Sequence, residues 1–485
     1  LSTRQRHPMT IVVKTGAKRD GSLMAQHFKL VADGGGYNST APLAITLCGY
    51  FLMIPYILKN LRYEGAHVYT NKPVGGAMRG HGIPQARFAV ESHLDLLARD
   101  LGMDPVDLRM KNALSAGYEH PAKYRINSCG FKDALAETAR DIEWKAKRGS
   151  GIGIAASALP CGVKNMSHIG SGAVVEINID GGVNILSGAS DIGQGTETVL
   201  AQIAAEELGV KYENVRVTCA DTGVTPLDAG TFGSGVTFRA GNAMRAAAAD
   251  ARCHLQEAIA DKLEANPDDI VFRNDRVYVK GSPDKGLAFT EAVKYYRYLD
   301  KPMPVVGRGF YMPDTPEPTT LLKEDGNLSV AYTFMAQAAE VKLDTETGQV
   351  EVETMATAHD CGFVINPLNV EGQLEGSVAG GMGMAFYEDQ PHVDGEYLNP
   401  NFLDYKLPTS LEIPKKIISV PIETFEPMGP FGAKESGEGV QVATAPAIAN
   451  AMFDAIGVQI KDLPMTPERV LKALSEKRGG AHGTA

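Results

Sequence analysis

The spacing of apolar residues along the chain predicts both helices and strands. Between residues 85 and 101, apolar residues recur at steps of three and four, which is the spacing of one helix face: Ala86, Ala89, Val90, Leu94, Leu97 and Leu101. Alternation in GAVVEINIDGGVNILSG and in AQAAEVKLDTETGQVEVETMATAHD predicts two β-hairpins. Helical and strand patterns mix without strict alternation, which favours an α+β fold of two mixed lobes with a cleft between them.

A chain of 485 residues is too long for one small core, so more than one lobe is expected. We place the first lobe over residues 1–128 and the second over residues 129–485. In the first lobe, Gly102 ends the predicted helix and Asp104 caps the start of another. In the second lobe, an alanine-rich stretch that ends near Ala265 predicts a long helix.

One uncharged segment has the composition of a membrane span. Residues 41–58 carry no charge and approach the length of a transmembrane helix. Pro42, Gly49 and Pro55 interrupt the segment. We therefore predict a buried strand and a loop that line a cavity, and no membrane span.

Charge and cysteine usage exclude several classes of protein. A net charge of −11 without a Lys/Arg run argues against a nucleic-acid surface. The six cysteines are scattered without a C-x-x-C pair, so neither a zinc ribbon nor an iron–sulfur cluster is expected on this chain. Reduced thiols, and a first stretch without the features of a signal peptide, predict a cytoplasmic protein.

Glycine-rich loops are the most informative feature of the chain. They are GGAMRGHG, SDIGQGTET, DAGTFGSG, NVEGQLEG and GPFGAKESGEG. Several such loops near predicted helix starts indicate a large ligand with phosphates that main-chain N–H groups hold. The chain has neither a P-loop nor a G-x-G-x-x-G motif, which disfavours a common nucleotide bound in the usual way. In the first loop, Arg79 offers donors for an anion or oxo group, although a mobile loop would carry the same glycines.

These loops, in this order, resemble the motifs of the molybdenum subunit of the xanthine oxidase family. GGAMRGHGIPQARFAVESHLDLLARDLGMDPVDLRMKN and HDCGFVINPLNVEGQLEG carry the resemblance together with SDIGQGTET and GPFGAKESGEG. NPNFLDYKLPTS and GAKESGEG are similar to the branch of 4-hydroxybenzoyl-coenzyme A reductases and of aldehyde or aromatic hydroxylases. The resemblance implies molybdopterin-binding domains of xanthine oxidase type, with the cofactor in the cleft between the lobes.

The resemblance also implies a cofactor and the residues that bind it. The implied cofactor is molybdopterin cytosine dinucleotide with molybdenum, and the resemblance implies no direct side-chain ligand to the metal. The residues implied to bind the cofactor are Ala77 and Arg79 beside the metal, and Gly193, Gln194, Gly195, Thr231, Phe232, Gly233, Ser234 and Gln373 along the pterin and dinucleotide.

Glu438 stands at the place of the family's catalytic base. A carboxylate in a dry pocket has a raised pKa and can serve as a general base beside a metal that acidifies water. Glu435 is the local rival, and we expect its side chain to face elsewhere on the same loop. On the residues alone, both could also be solvated loop acids.

The chain departs from the family pattern in three ways. It begins after the family's G-G-x-G-G-K loop, so we expect another chain to supply the N-terminal half of the subunit, unless the sequence is a fragment. In the substrate pocket, Leu47 stands in place of the purine-binding arginine, and His81 in place of the stacking phenylalanine. A purine is therefore disfavoured. His81 could also be a histidine bonded to loop backbone. Copper–molybdenum chemistry is not expected, because no cysteine follows Arg79.

The resemblance implies an oxidoreductase that hydroxylates or reductively dehydroxylates a small aromatic or heterocyclic substrate. Electrons would pass to iron–sulfur clusters and FAD on partner subunits. An aldehyde oxidoreductase of the same family is one alternative, and a molybdopterin-binding or assembly protein without turnover is the other. The presence of Glu438 speaks against the second alternative, because a carrier needs no base.

Two further patterns have structural interpretations. His359, Asp360 and Cys361 are consecutive, and adjacent side chains on a strand point to opposite faces, so we do not expect them to share a metal ion. We expect them to pack near the helix of Gln373. The run GGMGMAF is expected to pack in the core.

Overall fold

The structure, a computed structural model, describes residues 4–163, 170–228, 230–299, 304–315 and 327–480. The strands are β1 Gln5–Arg6, β2 Met9–Ala17, β3 Leu23–Asp33, β4 Asn60–Val68, β5 Gly75–Gly76, β6 Ile152–Pro160, β7 Ser171–Ile177, β8 Val183–Ser187, β9 Val215–Cys219, β10 Ile270–Arg273, β11 Arg276–Val279, β12 Ser282–Ala288, β13 Val305–Tyr311, β14 Tyr332–Leu343, β15 Val350–Asp360, β16 His392–Val393, β17 Glu396–Tyr397 and β18 Lys416–Ile422. The helices are α1 Ala41–Tyr50, α2 Ile83–Leu101, α3 Pro105–Asn112, α4 Phe131–Asp141, α5 Trp144–Lys147, α6 Thr196–Leu208, α7 Gly241–Leu263, α8 Phe289–Arg297, α9 Pro367–Met382, α10 Gln441–Ile456 and α11 Pro467–Gly480. The α+β class predicted from the sequence is confirmed.

The first sheet has the strand order β2-β3-β4. β2 alternates between half-buried and exposed positions and pairs antiparallel with β3. β3 pairs parallel with β4. A parallel pair needs a crossover connection, and this one contains α1.

The uncharged segment 41–58 begins with a helix, so the predicted strand is wrong. Pro42 lies in the first turn of α1. At that position a missing N–H loses no intrahelical hydrogen bond, and the fixed φ of proline suits the helix. Proline here marks a helix start. Among the described residues, no helix is both long and apolar enough to cross a membrane.

The central sheet has the strand order β18-β15-β14-β6. β14 and β15 form the predicted antiparallel hairpin, whereas β18 pairs parallel with β15. Helices α4 and α10 pack against this sheet. The start of α3 also agrees with the sequence, because the Asp104 side chain accepts hydrogen bonds from the N–H groups of Val106 and Asp107.

The third sheet has the strand order β13-β7-β8-β9 and includes the second predicted hairpin, β7 with β8. It packs against α7, the predicted alanine-rich helix. Gly307 allows the close approach, because a Cβ there would lie 2.1 Å from the carbonyl oxygen of Ala247. Smaller sheets are β10-β11-β12, β1-β5 and β16-β17.

The buried apolar residues form separate clusters. The first contains side chains from the first sheet, α2, α4 and the central sheet, and so includes residues on both sides of position 128. The second contains the third sheet with α6 and α7. Another surrounds α10 and includes Met382 and Met384, which confirms core packing for the GGMGMAF run. The division into lobes at 128 stays a prediction.

A buried charge network ties α2 to its neighbours. Glu91 accepts hydrogen bonds from Tyr56 Oη at 2.9 Å, Arg109 Nε at 2.9 Å and the Ala156 N–H at 3.0 Å. Arg109 Nη1 also lies 2.7 Å from Asp95 Oδ1. Buried charges are tolerated when they are paired and hydrogen-bonded in this way. No motif in the sequence indicated this network.

Candidate active site

Four of the glycine-rich loops and the start of α9 meet around a cavity of about 310 Å³. Its lining includes seven of the residues that the sequence predicted: Arg79, Gln194, Thr231, Phe232, Ser234, Gln373 and Glu438. These residues come from segments that are far apart in the chain. The volume is in the range of small-molecule sites.

The Glu438 carboxylate is held between two other loops. Its Oε1 accepts a hydrogen bond from the Gly80 N–H at 3.3 Å, and its Oε2 accepts one from Ser234 Oγ at 3.2 Å. Ser234 Oγ in turn accepts the Glu438 N–H at 2.8 Å. A hydroxyl can do both because it has one donor and two lone pairs. Ser234 therefore contacts both the main chain and the side chain of Glu438.

The surroundings of Glu438 raise its pKa above the ordinary value. Burial is the largest cause, because it penalises the charged form, and the nearby Glu435 carboxylate raises the pKa further. The hydrogen bonds from Gly80 and Ser234 and the charge of Arg79 act in the opposite direction. A carboxylate with a raised pKa accepts a proton more readily than an ordinary glutamate.

Glu435 is buried, with 1% of its surface exposed. Its Oε1 accepts a hydrogen bond from Thr333 Oγ1 at 2.6 Å. Its Oε2 accepts the N–H groups of Gly437 at 2.8 Å and Glu438 at 3.3 Å. Glu435 is thus no solvated loop acid, and its carboxylate bonds the main chain of its own loop.

Arg79 lies in a left-handed backbone conformation with φ at 44°. Its Nη1 donates a hydrogen bond to Ser377 Oγ on α9 at 2.9 Å, and Ser377 Oγ donates to the carbonyl of Gly437 at 3.3 Å. The first glycine loop is therefore connected to the loop of Glu438 through α9. Ala77, in the same loop, is exposed and outside the cavity lining.

The loop before α6 leads into a helix N-terminus that has no side-chain cap. Gly195 is the N-cap with φ at 83°, and no side chain caps the first turn. A Cβ on Gly195 would lie 2.2 Å from Asn369 Nδ2. That buried amide has no hydrogen-bond partner among the described residues. Gly193 and Gly195 are outside the lining, whereas Gln194 between them lines the cavity.

The loop over residues 230–235 closes another side of the cavity. Thr231 Oγ1 donates a hydrogen bond to the carbonyl of Ser190 at 2.5 Å, which links this loop to the loop before α6. The Phe232 ring packs against the Arg239 guanidinium at 5.2 Å. Gly233 is exposed and outside the lining.

The two predicted substrate residues lie away from this cavity. Leu47 is half-buried on α1, and neither Leu47 nor His81 lines the cavity. Burial lowers the pKa of His81, and a hydrogen bond with the backbone of Thr40 opposes that shift. This contact agrees with the structural interpretation of His81. Their role in a substrate pocket stays a prediction.

Several lining residues were missed by the sequence reasoning: Asn366, Asn369, Cys361, Phe363, Ile365 and Lys434. All six lie inside the motifs that carry the family resemblance, so the motifs could have indicated them. Lys434 Nζ is buried and pairs with Asp360 Oδ2 at 2.8 Å. His359 Nε2 lies 2.7 Å from the carbonyl oxygen of Glu435 and bonds to it. Cys361 Sγ donates to the carbonyl of His359 at 3.2 Å. The described residues contain no group of three or more His, Cys, Asp or Glu that could hold a metal.

Comparisons with known proteins identify the family of the chain. Models of the molybdopterin cofactor-binding domain match residues 1–113 and 125–414. The putative xanthine dehydrogenase molybdenum-binding subunit of Escherichia coli (strain K12) is 32% identical over 97% of this chain and 63% of that protein. The 6-hydroxypseudooxynicotine dehydrogenase complex subunit gamma of Paenarthrobacter nicotinovorans is 30% identical over 97% of this chain and 60% of that protein.

A solved structure gives the same result at the level of the fold. Quinoline 2-oxidoreductase from Pseudomonas putida 86 has a TM-score of 0.88 and 26% identity, over 98% of this chain and 63% of that chain. The chain therefore spans less than two thirds of the length of these similar proteins.

Proposed function

Because this chain belongs to the molybdopterin cofactor-binding domains of the xanthine oxidase family, we propose that it forms part of the active subunit of a molybdenum hydroxylase or dehydrogenase. The enzyme hydroxylates, or reductively dehydroxylates, a carbon of an aromatic or heterocyclic substrate. The observation that carries the proposal is the Glu438 carboxylate, which faces the cavity between the loops of Gly80 and Ser234.

The residues around the cavity fit a cofactor with phosphates. Asn369 Nδ2 is a buried donor without a partner among the described residues, and the uncapped first turn of α6 offers main-chain N–H groups. Such helix starts bind phosphate. We assign the phosphate end of molybdopterin cytosine dinucleotide to α6 and Asn369, with Gln194 and residues 231–234 beside it. The metal end is assigned to Arg79, Gln373 and Glu438.

The bound cofactor supplies the redox chemistry, and the chain supplies orientation and proton transfer. Glu438 Oε1 and Oε2 are the atoms that accept the proton, because their raised pKa favours the protonated form after transfer. Arg79 places a positive charge near that carboxylate. Phe363, Ile365 and Val370 give the cavity an apolar side that limits water.

We assign an aromatic or heterocyclic substrate on two grounds. The residues at the purine-binding places of the family are Leu47 and His81, which do not suit a purine. Similar proteins are named for quinoline and 6-hydroxypseudooxynicotine. Oxidation of an aldehyde in place of these compounds would assign the chain to the aldehyde branch.

The working enzyme includes partners. The similar proteins are longer than this chain, so a further part of the molybdenum subunit completes the site. Ile192, an exposed apolar side chain that lines the cavity, suits such a cover. Iron–sulfur and FAD subunits accept the electrons, and the relative named as subunit gamma of a complex supports an assembly of this kind. Six free cysteines fit a cytoplasmic location.

The test is a composition analysis of the purified complex that contains this chain. Molybdenum and cytosine nucleotide should be present in amounts equal to each other and to this chain. Asn369→Ala is the informative variant, because loss of a donor to phosphate should release nucleotide and metal together. A complex that contains a different metal and no pterin would overturn the proposal.

A further inference from the structure

We propose that Glu435 is a positioning residue for Glu438: its carboxylate fixes the main chain that carries Glu438 and places a second negative charge beside it. This inference rests on the proposed function, in which Glu438 accepts a proton. Glu435 acts through Glu438 and does not exchange the proton itself: its carboxylate accepts the Thr333 hydroxyl and two main-chain N–H groups of the loop.

The hydrogen bonds of Glu435 support the positioning role. One carboxylate oxygen of Glu435 accepts the N–H groups of Gly437 and Glu438, and the other accepts the Thr333 hydroxyl from β14. The carbonyl of Glu435 is bonded to His359 on β15. The loop of Glu438 is therefore attached to two adjacent strands of the central sheet through a single residue. A site held by strands is more rigid than a site held by a loop alone.

The charge of Glu435 acts on Glu438 at short range. The groups that face Glu438 are Arg79 from the first glycine loop, Ser234 from the third, Arg239 from the helical turn 236–240 that follows it, and Glu435 from its own loop. Of these, Glu435 carries the like charge. Like charges in a buried site disfavour a second ionised carboxylate, so Glu435 raises the pKa of Glu438.

Glu435→Gln separates the two roles. The amide oxygen can still accept the N–H groups of Gly437 and Glu438, and the amide N–H₂ can donate to Thr333 Oγ1. The variant therefore keeps the loop in place and removes the charge. The pKa of Glu438 should fall, so Glu438 should remain an active base to lower pH.

The experiment measures two pH profiles in the complex. The first is turnover, where the acid limb of kcat/KM should move to lower pH by about one unit in Glu435→Gln. The second is infrared difference titration of the protonated carboxyl band that Glu438→Gln abolishes, in the cofactor-free complex as well. Its midpoint should move in the same direction, with molybdenum content unchanged. A merely structural role would not move this band.

Two further variants complete the design. Glu435→Ala removes the acceptor and should lower turnover at every pH, by up to ~10²-fold, because the loop is free to shift. Thr333→Val removes the hydrogen bond to Glu435 Oε1, together with the longer one to the Leu159 carbonyl at 3.3 Å. It should leave the acid limb within about 0.3 unit of the parent, because the charge of Glu435 remains. An acid limb and an infrared midpoint that both stay unshifted in Glu435→Gln would overturn the inference. So would loss of molybdenum from that variant.

Failure of the proposed function gives a different result. If the complex lacks molybdenum, or if Glu438→Gln retains full turnover, the proposed function is wrong. The infrared titration of Glu438 does not depend on the cofactor, and it still tests the effect of Glu435.

Discussion

Two glutamates of this chain, one fully buried and one half-buried, have opposite surroundings. Glu91 on α2 is fully buried, and its carboxylate has an arginine, a tyrosine hydroxyl and a main-chain N–H as partners. Glu438 faces a cavity and accepts only two longer hydrogen bonds, at 3.3 Å and 3.2 Å. Within the described part of the chain, Glu438 has no ion-pair partner.

The difference separates a structural carboxylate from a candidate catalytic base. The Arg109 guanidinium and the Ala156 N–H offset the energetic cost of burying the Glu91 charge. Their hydrogen bonds to Glu91 connect α2 with α3 and β6. The hydrogen bonds and the positive charge near Glu438 offset only part of the cost of burying its charge, and its pKa is therefore raised. A partly compensated charge beside a cavity costs stability and gains reactivity. The two sites should accordingly respond in opposite ways to the same kind of substitution.

The largest effect is expected for Glu438→Gln. Turnover should fall by ~10²–10⁴-fold, because the amide cannot accept a proton. Molybdenum content and thermal stability should not decrease, because the amide keeps the hydrogen bonds and removes a charge that burial disfavours. Steady-state kinetics with metal analysis checks both.

The matched control for that variant is Glu375→Gln, an exposed acid on α9. It should retain full turnover. Equal losses in the two variants would remove the distinction between Glu438 and a surface acid.

The next effect is on stability, for Glu91→Ala. This change leaves Arg109 buried with one acidic partner in place of two. Breaking a buried pair costs about 3–5 kcal/mol, so the unfolding temperature should fall strongly. Calorimetry of the complex measures it. Turnover per correctly folded molecule should stay within about twofold, since the network does not line the cavity. An unchanged unfolding temperature would show that the network does not stabilise the fold.

The smallest effect is expected for Asn369→Ala. The loss of one donor to a phosphate should weaken nucleotide retention by about tenfold, with the fold intact. Dialysis followed by nucleotide analysis measures the retained fraction. Asn401→Ala is the control, because Asn401 lies in an exposed turn outside the lining. Equal retention in the two variants would remove Asn369 from the phosphate site.

Much of the fold was predictable because it depends on local patterns. The hairpin of β14 and β15 follows from alternation, and α2 follows from its apolar spacing. The start of α3 follows from its cap at Asp104. The segment 41–58 was assigned wrongly because Pro42 was taken as a helix breaker, whereas its place in the first turn makes it a helix start.

The arrangement of the candidate site could not be predicted from local sequence patterns alone. The sequence by itself determined which loops are rich in glycine, which family they resemble and which acids could serve as a base. Only the tertiary structure decided that Arg79, Ser234, Gln373 and Glu438 line one cavity, and that Leu47 and His81 do not. It also decided that Glu435 and Glu438 line the same cavity, and that the Glu435 carboxylate is hydrogen-bonded to the main chain of Gly437 and Glu438. The physical reason is that the burial of Glu438 and its hydrogen bonds with Gly80 and Ser234 depend on contacts between segments more than 200 residues apart, which no local pattern encodes.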